Sequence, residues 1–301
     1  MSKTENASRR EESYKDLTLD GVRVRYLDVG RGEPVLLLHG YPQSHRCWRH
    51  QIDDLAQTHR VIAPDWPGFG SSERRLDVAP LYTAEAERIG KLADQLGLHR
   101  FNLITHDYGG HLALGFMARS PERVLRFAVI NSRAHATFSP RFYRFSVFQH
   151  WFASHALSRA VARRLPIGSL HRRGFERYLR LGCFTRAELN DYLSWMDDRA
   201  GRDYYLHFFT HYHVPTRPEL AAVLPTIRCP TAIIWGTRDP YIPLATAHEL
   251  AERIPNATLT LLDGADHFPM EERPREVSEA LRELLDRPLH TAIANTETIV
   301  D

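Results

Sequence analysis

No stretch constrains this chain more than Phe101 to Ala118. Phe101 to Thr105 (FNLIT) has the makeup of a short buried strand, and His111 to Ala118 (HLALGFMA) has the apolar spacing of a helix entered at once. Between them lie only His106, Asp107, Tyr108, Gly109 and Gly110. A strand-to-helix turn this sharp needs small residues two before and two after its apex, and Thr105 and Gly109 stand in those places. The apex residue is therefore Asp107.

A carboxylate at such an apex suits one kind of chemistry. Serine must lose a proton as it attacks and then suits acyl carbons. An ionised aspartate needs no base, and its natural targets are saturated carbons bearing a leaving group. The product of attack is an alkyl ester of the enzyme. Water activated by a histidine cleaves that ester at its carbonyl, which calls for an oxyanion hole. Aspartate also caps helix amino ends without any chemistry, so the assignment depends on partners.

Two partners stand beyond the ends of other apolar runs. Thr231 to Trp235 (TAIIW) reads as a buried strand leading into Gly236, Thr237, Arg238 and Asp239. Ala257 to Leu262 (ATLTLL) reads as another, followed by Asp263, Gly264, Ala265, Asp266 and His267. Catalytic groups in open parallel sheets gather beyond the carboxyl ends of the strands, so Asp107, Asp239 and His267 form a candidate nucleophile, acid and base. Asp266 is a rival acid, although a sequence neighbour generally points away from the ring. The segment Ile130, Asn131, Ser132 after the next strand carries no carboxylate.

With this order of nucleophile, acid and histidine, the chain resembles α/β-hydrolases of the haloalkane and haloacid dehalogenase and epoxide hydrolase group, over about residues 20 to 285. The resemblance includes Leu36, Leu37, Leu38, His39, Gly40, Tyr41 and Pro42, and the run Asp65, Trp66, Pro67, Gly68, Phe69, Gly70, Ser71, Ser72. It implies that the backbone N–H groups of Tyr41 and Tyr108 form the oxyanion hole. It implies no metal or organic cofactor, and as partners only a small organic substrate and water.

Strand and helix patterns alternate from Asp16 onward, which predicts an α/β fold: a mostly parallel sheet with helices on both faces. The rhythm breaks near Ala134. From there to about Thr226 the apolar spacing is helical, with many arginines and aromatics, so residues 134–226 are expected to form a helical cap over a core of residues 15–133 and 227–287. Residues 1–14 and 288–301 are expected to be tails of little order. A polar amino end without an apolar core argues against a secretory signal, and no apolar run reaches spanning length. Three widely spread cysteines suit a reducing cytoplasm, and a net charge near +2 suggests neither a nucleic acid nor a membrane surface as partner. Arg159, Arg163, Arg164, Arg172 and Arg173 read as a solvated face, with a partner surface as the alternative.

The substrate class turns on the cap. A dehalogenase offers N–H donors to a departing halide; an epoxide hydrolase gives a proton to an alkoxide. Haloalkane dehalogenases usually carry tryptophan after the nucleophile, where this chain has Tyr108. Fluoroacetate dehalogenases resemble the run His39 to Gln43, with His45 and Trp48 in register, and the place of their halide-binding His-Trp pair is occupied by His150 and Trp151. Their carboxylate-binding arginines are replaced by Tyr108 and His111. Epoxide hydrolases share the His-Gly-x-Pro form, and their two cap tyrosines fall near Trp151 and Phe209, with Tyr205 and Tyr212 about one turn from the latter. The sequence reading is carbon–halogen hydrolysis with His150, Trp151, Tyr205, Phe209 and Tyr212 as candidate binding residues. The alternatives are epoxide hydrolysis, and a non-catalytic or non-hydrolytic protein of the same fold.

Overall fold

A computed structural model describes residues 14–133, 139–212, 218–289 and 296–300. Nine strands form one sheet in the order β1-β2-β4-β3-β5-β6-β7-β8-β9. They are β1 (Tyr14–Leu19), β2 (Val22–Val29), β3 (Pro34–Leu38), β4 (Arg60–Pro64), β5 (Phe101–His106), β6 (Val124–Ile130), β7 (Thr231–Gly236), β8 (Ala257–Leu262) and β9 (Thr296–Val300). Only the β1–β2 and β2–β4 pairs are antiparallel. From β4 to β9 every pairing is parallel, so the strands from β3 to β8 all end at one edge of the sheet.

Every residue of β5, β6 and β7 is buried. Successive strand side chains point to opposite faces, so burial of all of them requires cover on both sides. That cover includes the helix pairs Tyr82–Gln95 with Tyr108–Met117, and Arg49–Leu55 with Pro274–Asp286.

Between β6 and β7 lies a helical insertion: Pro140–Ser154, Ala156–Ala162, Ile167–Arg180, Arg186–Leu193, Arg199–His211 and Pro218–Val223. Residues 134–138 and 213–217, also within the expected cap, lie outside the described residues. Tyrosine hydroxyls tie the insertion to the core. Tyr178 donates to Asp266 Oδ1 (3.0 Å), Tyr192 to Glu271 Oε1 (2.6 Å) and Tyr204 to the Pro67 carbonyl (3.2 Å).

The ends of the chain correct one expectation. Residues 296–300, assigned above to a tail of little order, pair with β8 in parallel register as an edge strand. The run TETIV is rich in β-branched residues, which fit a pleated surface, but it is too short and polar-flanked to stand out by pattern. Of the expected amino-terminal tail, residues 1–13 lie outside the described residues and Tyr14 opens β1.

Candidate active site

The elbow forms as its sequence demands. β5 ends at His106, the helix begins at Tyr108, and Asp107 between them takes φ +46° and ψ −113°. A non-glycine residue there carries strain on the order of 1–3 kcal/mol, which the surroundings must offset. Ser132 Oγ donates to the Asp107 carbonyl (2.6 Å), and Asp107 N–H donates to the Ile130 carbonyl (3.3 Å). Neighbouring glycines are required by crowding. A Cβ on Gly109 would lie 2.5 Å from the Leu38 carbonyl oxygen, and one on Gly40 would lie 2.5 Å from Asp107 Cβ and 2.8 Å from its Oδ1.

Asp107 Oδ1 accepts the backbone N–H of Tyr41 at 2.9 Å. Its other oxygen, Oδ2, lies 3.7 Å from His267 Nε2. Tyr108 is the first residue of its helix, so its N–H has no acceptor within that helix. His267 Nδ1 donates to Asp239 Oδ2 (2.8 Å). Burial pulls the His267 ring down, but the charge and hydrogen bond of Asp239, with the charges of Asp107 and Asp266, outweigh it and push the ring up to about 9. The carboxylates of Asp107 and Asp239 thus face the two ring nitrogens of one imidazole.

Asp239 is itself held. Its Oδ1 accepts the N–H groups of Tyr241 (2.7 Å) and Ile242 (3.0 Å), and its Oδ2 accepts Asn131 Nδ2 (2.7 Å). Asn131 in turn accepts Gly236 N–H at 2.9 Å. The position that lacks a carboxylate in the sequence therefore holds the carboxylate that is present. Asp266, the rival acid, turns away from the ring. Its Oδ1 accepts Tyr178 OH and its neighbour's own backbone N–H, and its Oδ2 lies 2.7 Å from the Arg177 guanidinium. Two more histidines are structural. His39 Nε2 accepts Trp66 N–H (2.9 Å) while Nδ1 donates to the Gly40 carbonyl (2.9 Å), and burial holds the ring down at about 4. His106 Nε2 donates to the His267 carbonyl at 2.8 Å.

Aromatic rings pack beside Tyr41 and Tyr108. Phe208 stacks on Tyr41 at 5.7 Å, and Phe209 meets Tyr41 edge-on at 5.4 Å. Tyr205 packs on Phe209 (4.9 Å), and Tyr212 meets Tyr108 edge-on (5.4 Å). The Tyr41 hydroxyl donates to His171 Nε2 (2.9 Å), because His171 Nδ1 donates to the Ile167 carbonyl (3.1 Å). Arg133, buried, donates to the Tyr212 hydroxyl oxygen at 3.1 Å and sits over its ring. Burial pushes the Tyr212 phenol up, and Arg133 opposes that shift.

Of the candidate binding residues, Tyr205, Phe209 and Tyr212 pack in one aromatic group with Tyr41 and Tyr108. His150 and Trp151 do not act as a pair. His150 Nδ1 donates to the Phe209 carbonyl (3.0 Å), whereas Trp151 is 52% exposed and packs on Phe148 and His155. The helix Pro140–Ser154 packs through Ser146 and Ala153, and Trp151, two residues from Ala153, lies about 200° around the helix from it. The expectation that Trp151 offers N–H to a leaving atom is corrected accordingly. Sequence reading also missed His171, Phe208 and Arg133. Arg133 had a usable signal, a charge three residues past a buried strand end. Among the described residues no group of three or more metal-capable side chains converges, and no helix is long and apolar enough to cross a membrane.

Comparison with known proteins defines the class. Residues 33–274 match the alpha/beta hydrolase fold family, and the chain belongs to it. It is 26% identical to a cis-3-alkyl-4-alkyloxetan-2-one decarboxylase of Shewanella oneidensis, with 87% of this chain and 84% of that protein covered. Haloalkane dehalogenase 2 of Mycobacterium tuberculosis is 28% identical, covering 87% of this chain and 91% of the relative. Epoxide hydrolase A of the same organism is 29% identical, covering 88% and 95%.

Proposed function

We propose that this protein is a hydrolase that opens epoxides through an ester on Asp107, with the helical insertion serving as the cap over the site. The observation that carries the choice of epoxide is the Arg133–Tyr212 pair. The phenol oxygen accepts from a buried guanidinium, so the phenolic proton is left to point at a departing oxygen, and the cation stabilises the phenolate that results.

In the first step Asp107 Oδ2 attacks an epoxide carbon, the C–O bond breaks, and the alkoxide takes the proton of Tyr212. Oδ1 becomes the ester carbonyl oxygen, already seated on the Tyr41 N–H. Ester formation removes the charge of Asp107, one of the groups that raise the His267 ring, so the imidazolium gives its proton up to the Tyr212 phenolate and is neutral when a base is needed. His267 Nε2 then takes a proton from water, hydroxide adds to the ester carbon, and the N–H groups of Tyr41 and Tyr108 hold the oxyanion. Collapse releases the diol, whose alkoxide takes the proton of the new Asp107 carboxyl, and leaves His267 as the imidazolium with which the cycle began.

Organohalide hydrolysis would share the attack and the ester, and 28% identity to a haloalkane dehalogenase supports it. It needs N–H donors at the leaving atom, a role the outward Trp151 does not fill. Tyr212→Phe separates the two. Turnover of a styrene oxide-type epoxide should fall by roughly 10²–10⁴-fold, while a bromoalkane, whose leaving group needs no proton, should lose little. Equal loss on both substrates, or none on the epoxide, rejects the acid role of Tyr212.

A further inference from the structure

The net charge near +2 conceals a local extreme. From Pro140 to Phe175 the chain carries seven arginines and neither aspartate nor glutamate. The same segment gathers the exposed apolar surface. Among the described residues, seven of the eleven exposed large apolar side chains fall between Tyr143 and Val161, with Leu157 80%, Phe148 54% and Trp151 52% exposed. On the helix Pro140–Ser154, Tyr143, Val147, Trp151 and Phe148 cover its outer side, and Leu157 and Val161 continue the surface one turn apart on Ala156–Ala162. Beside them Arg163, Arg164, Arg199 and Arg202 line an open cleft of about 340 Å³ with Ala160. Asp203 pairs with Arg163 (2.5 Å) and lies 3.9 Å from Arg199, and the Arg202 guanidinium binds the Arg163 and Asp197 carbonyls. Asp203 is paired inside the cleft, and Asp197, which also interacts with Arg202, is paired with Arg172, so the cleft stays cationic.

We propose that this face docks on a bilayer containing anionic phospholipid, the aromatic and aliphatic side chains entering the interfacial layer and the arginine cleft receiving a phosphate headgroup. Large exposed apolar side chains interleaved with arginine are what such a surface requires. A second copy of the chain fits less well, because a two-fold contact would set the segment against itself with no carboxylate of its own to pair the arginines. Single-stranded nucleic acid would use the aromatics, but Leu157, Val147 and Val161 offer no stacking surface. The inner side of the docking helix reaches the catalytic edge, since Phe142 packs on Tyr241 (6.2 Å) and Tyr241 on His267 (4.9 Å).

The chain supplies its own probe. Of the five tryptophans, Trp48, Trp66, Trp195 and Trp235 are buried, so a change in emission on docking reports Trp151. The test is sedimentation and tryptophan fluorescence of the full chain with vesicles of phosphatidylcholine alone and of phosphatidylcholine with phosphatidylglycerol. Binding should require phosphatidylglycerol, weaken with salt, and shift the emission to the blue. Trp151→Phe should bind but lose most of the shift. Phe148→Ser with Leu157→Ser should weaken binding at least about tenfold, since each side chain contributes on the order of a kcal/mol or more when buried, with the thermal melt unchanged. Failure to bind either vesicle, equal binding to both, or binding unaltered in the double variant overturns the proposal. So does a dimer, or an oligonucleotide complex, that the double variant abolishes while vesicles do not bind.

Discussion

The charge on one imidazole links the geometry of the site to its pH response. Between Asp239 and Asp107, His267 is pushed from an ordinary 6.5 up to about 9. A raised folded-state value stabilises the fold fully below the unfolded value, and that contribution is lost as pH rises through about 9. Asp107→Asn removes one of the raising charges, so the His267 titration followed by NMR should move down; an unmoved midpoint would mean that the two groups do not interact. Gly40 gives a second test at this scale. A methyl group there meets both Asp107 and His106 Nδ1 (2.8 Å), so, under the proposed function, Gly40→Ala should cut turnover by at least about 10²-fold through misplacement of the Asp107 carboxylate. Wild-type kcat in that variant would show the elbow to be more yielding than its contacts imply.

At the scale of elements, the join between the insertion and the core rests on a buried charged cluster. The Arg49 guanidinium pairs with Glu271, lies 3.1 Å from Glu188 and donates to the Cys183 carbonyl (3.2 Å), while Tyr192 donates to Glu271. Burial pushes Glu271 up to about 8, and Arg49 restrains the rise. At pH well above about 8, where Glu271 is ionised, Arg49→Ala strands a carboxylate in the interior and should cost on the order of 3 kcal/mol in urea unfolding. Adding Glu271→Gln should recover part of that loss; purely additive losses would show the pair to be energetically independent. The same scale explains what could be read from sequence. β7 and β8 stood out because strands in a covered parallel sheet are continuous apolar runs, and the elbow because its turn admits few residues. The helix Pro140–Ser154 is apolar on nearly every side, so its periodicity named no inner face and Trp151 could not be oriented. Asn131 and His171 act through partners 108 and 130 residues away, contacts that no local pattern encodes.

For the molecule as a whole, the parallel sheet and the insertion divide the work. Strand ends from β3 to β8 bring Gly40, Asp107, Asn131, Asp239 and His267 to one edge, and the insertion packs Phe208, Phe209 and Tyr212 against Tyr41 and Tyr108. Under the proposed function, Asp107 bonds covalently to substrate carbon and His267 is needed only to release it. Intact-protein mass spectrometry of His267→Gln incubated with an epoxide tests this most directly. The claim predicts an adduct equal to the mass of the intact epoxide, mapped to the peptide containing Asp107 and absent from Asp107→Ala with His267→Gln. An unmodified protein together with undiminished turnover in Asp107→Ala would contradict it.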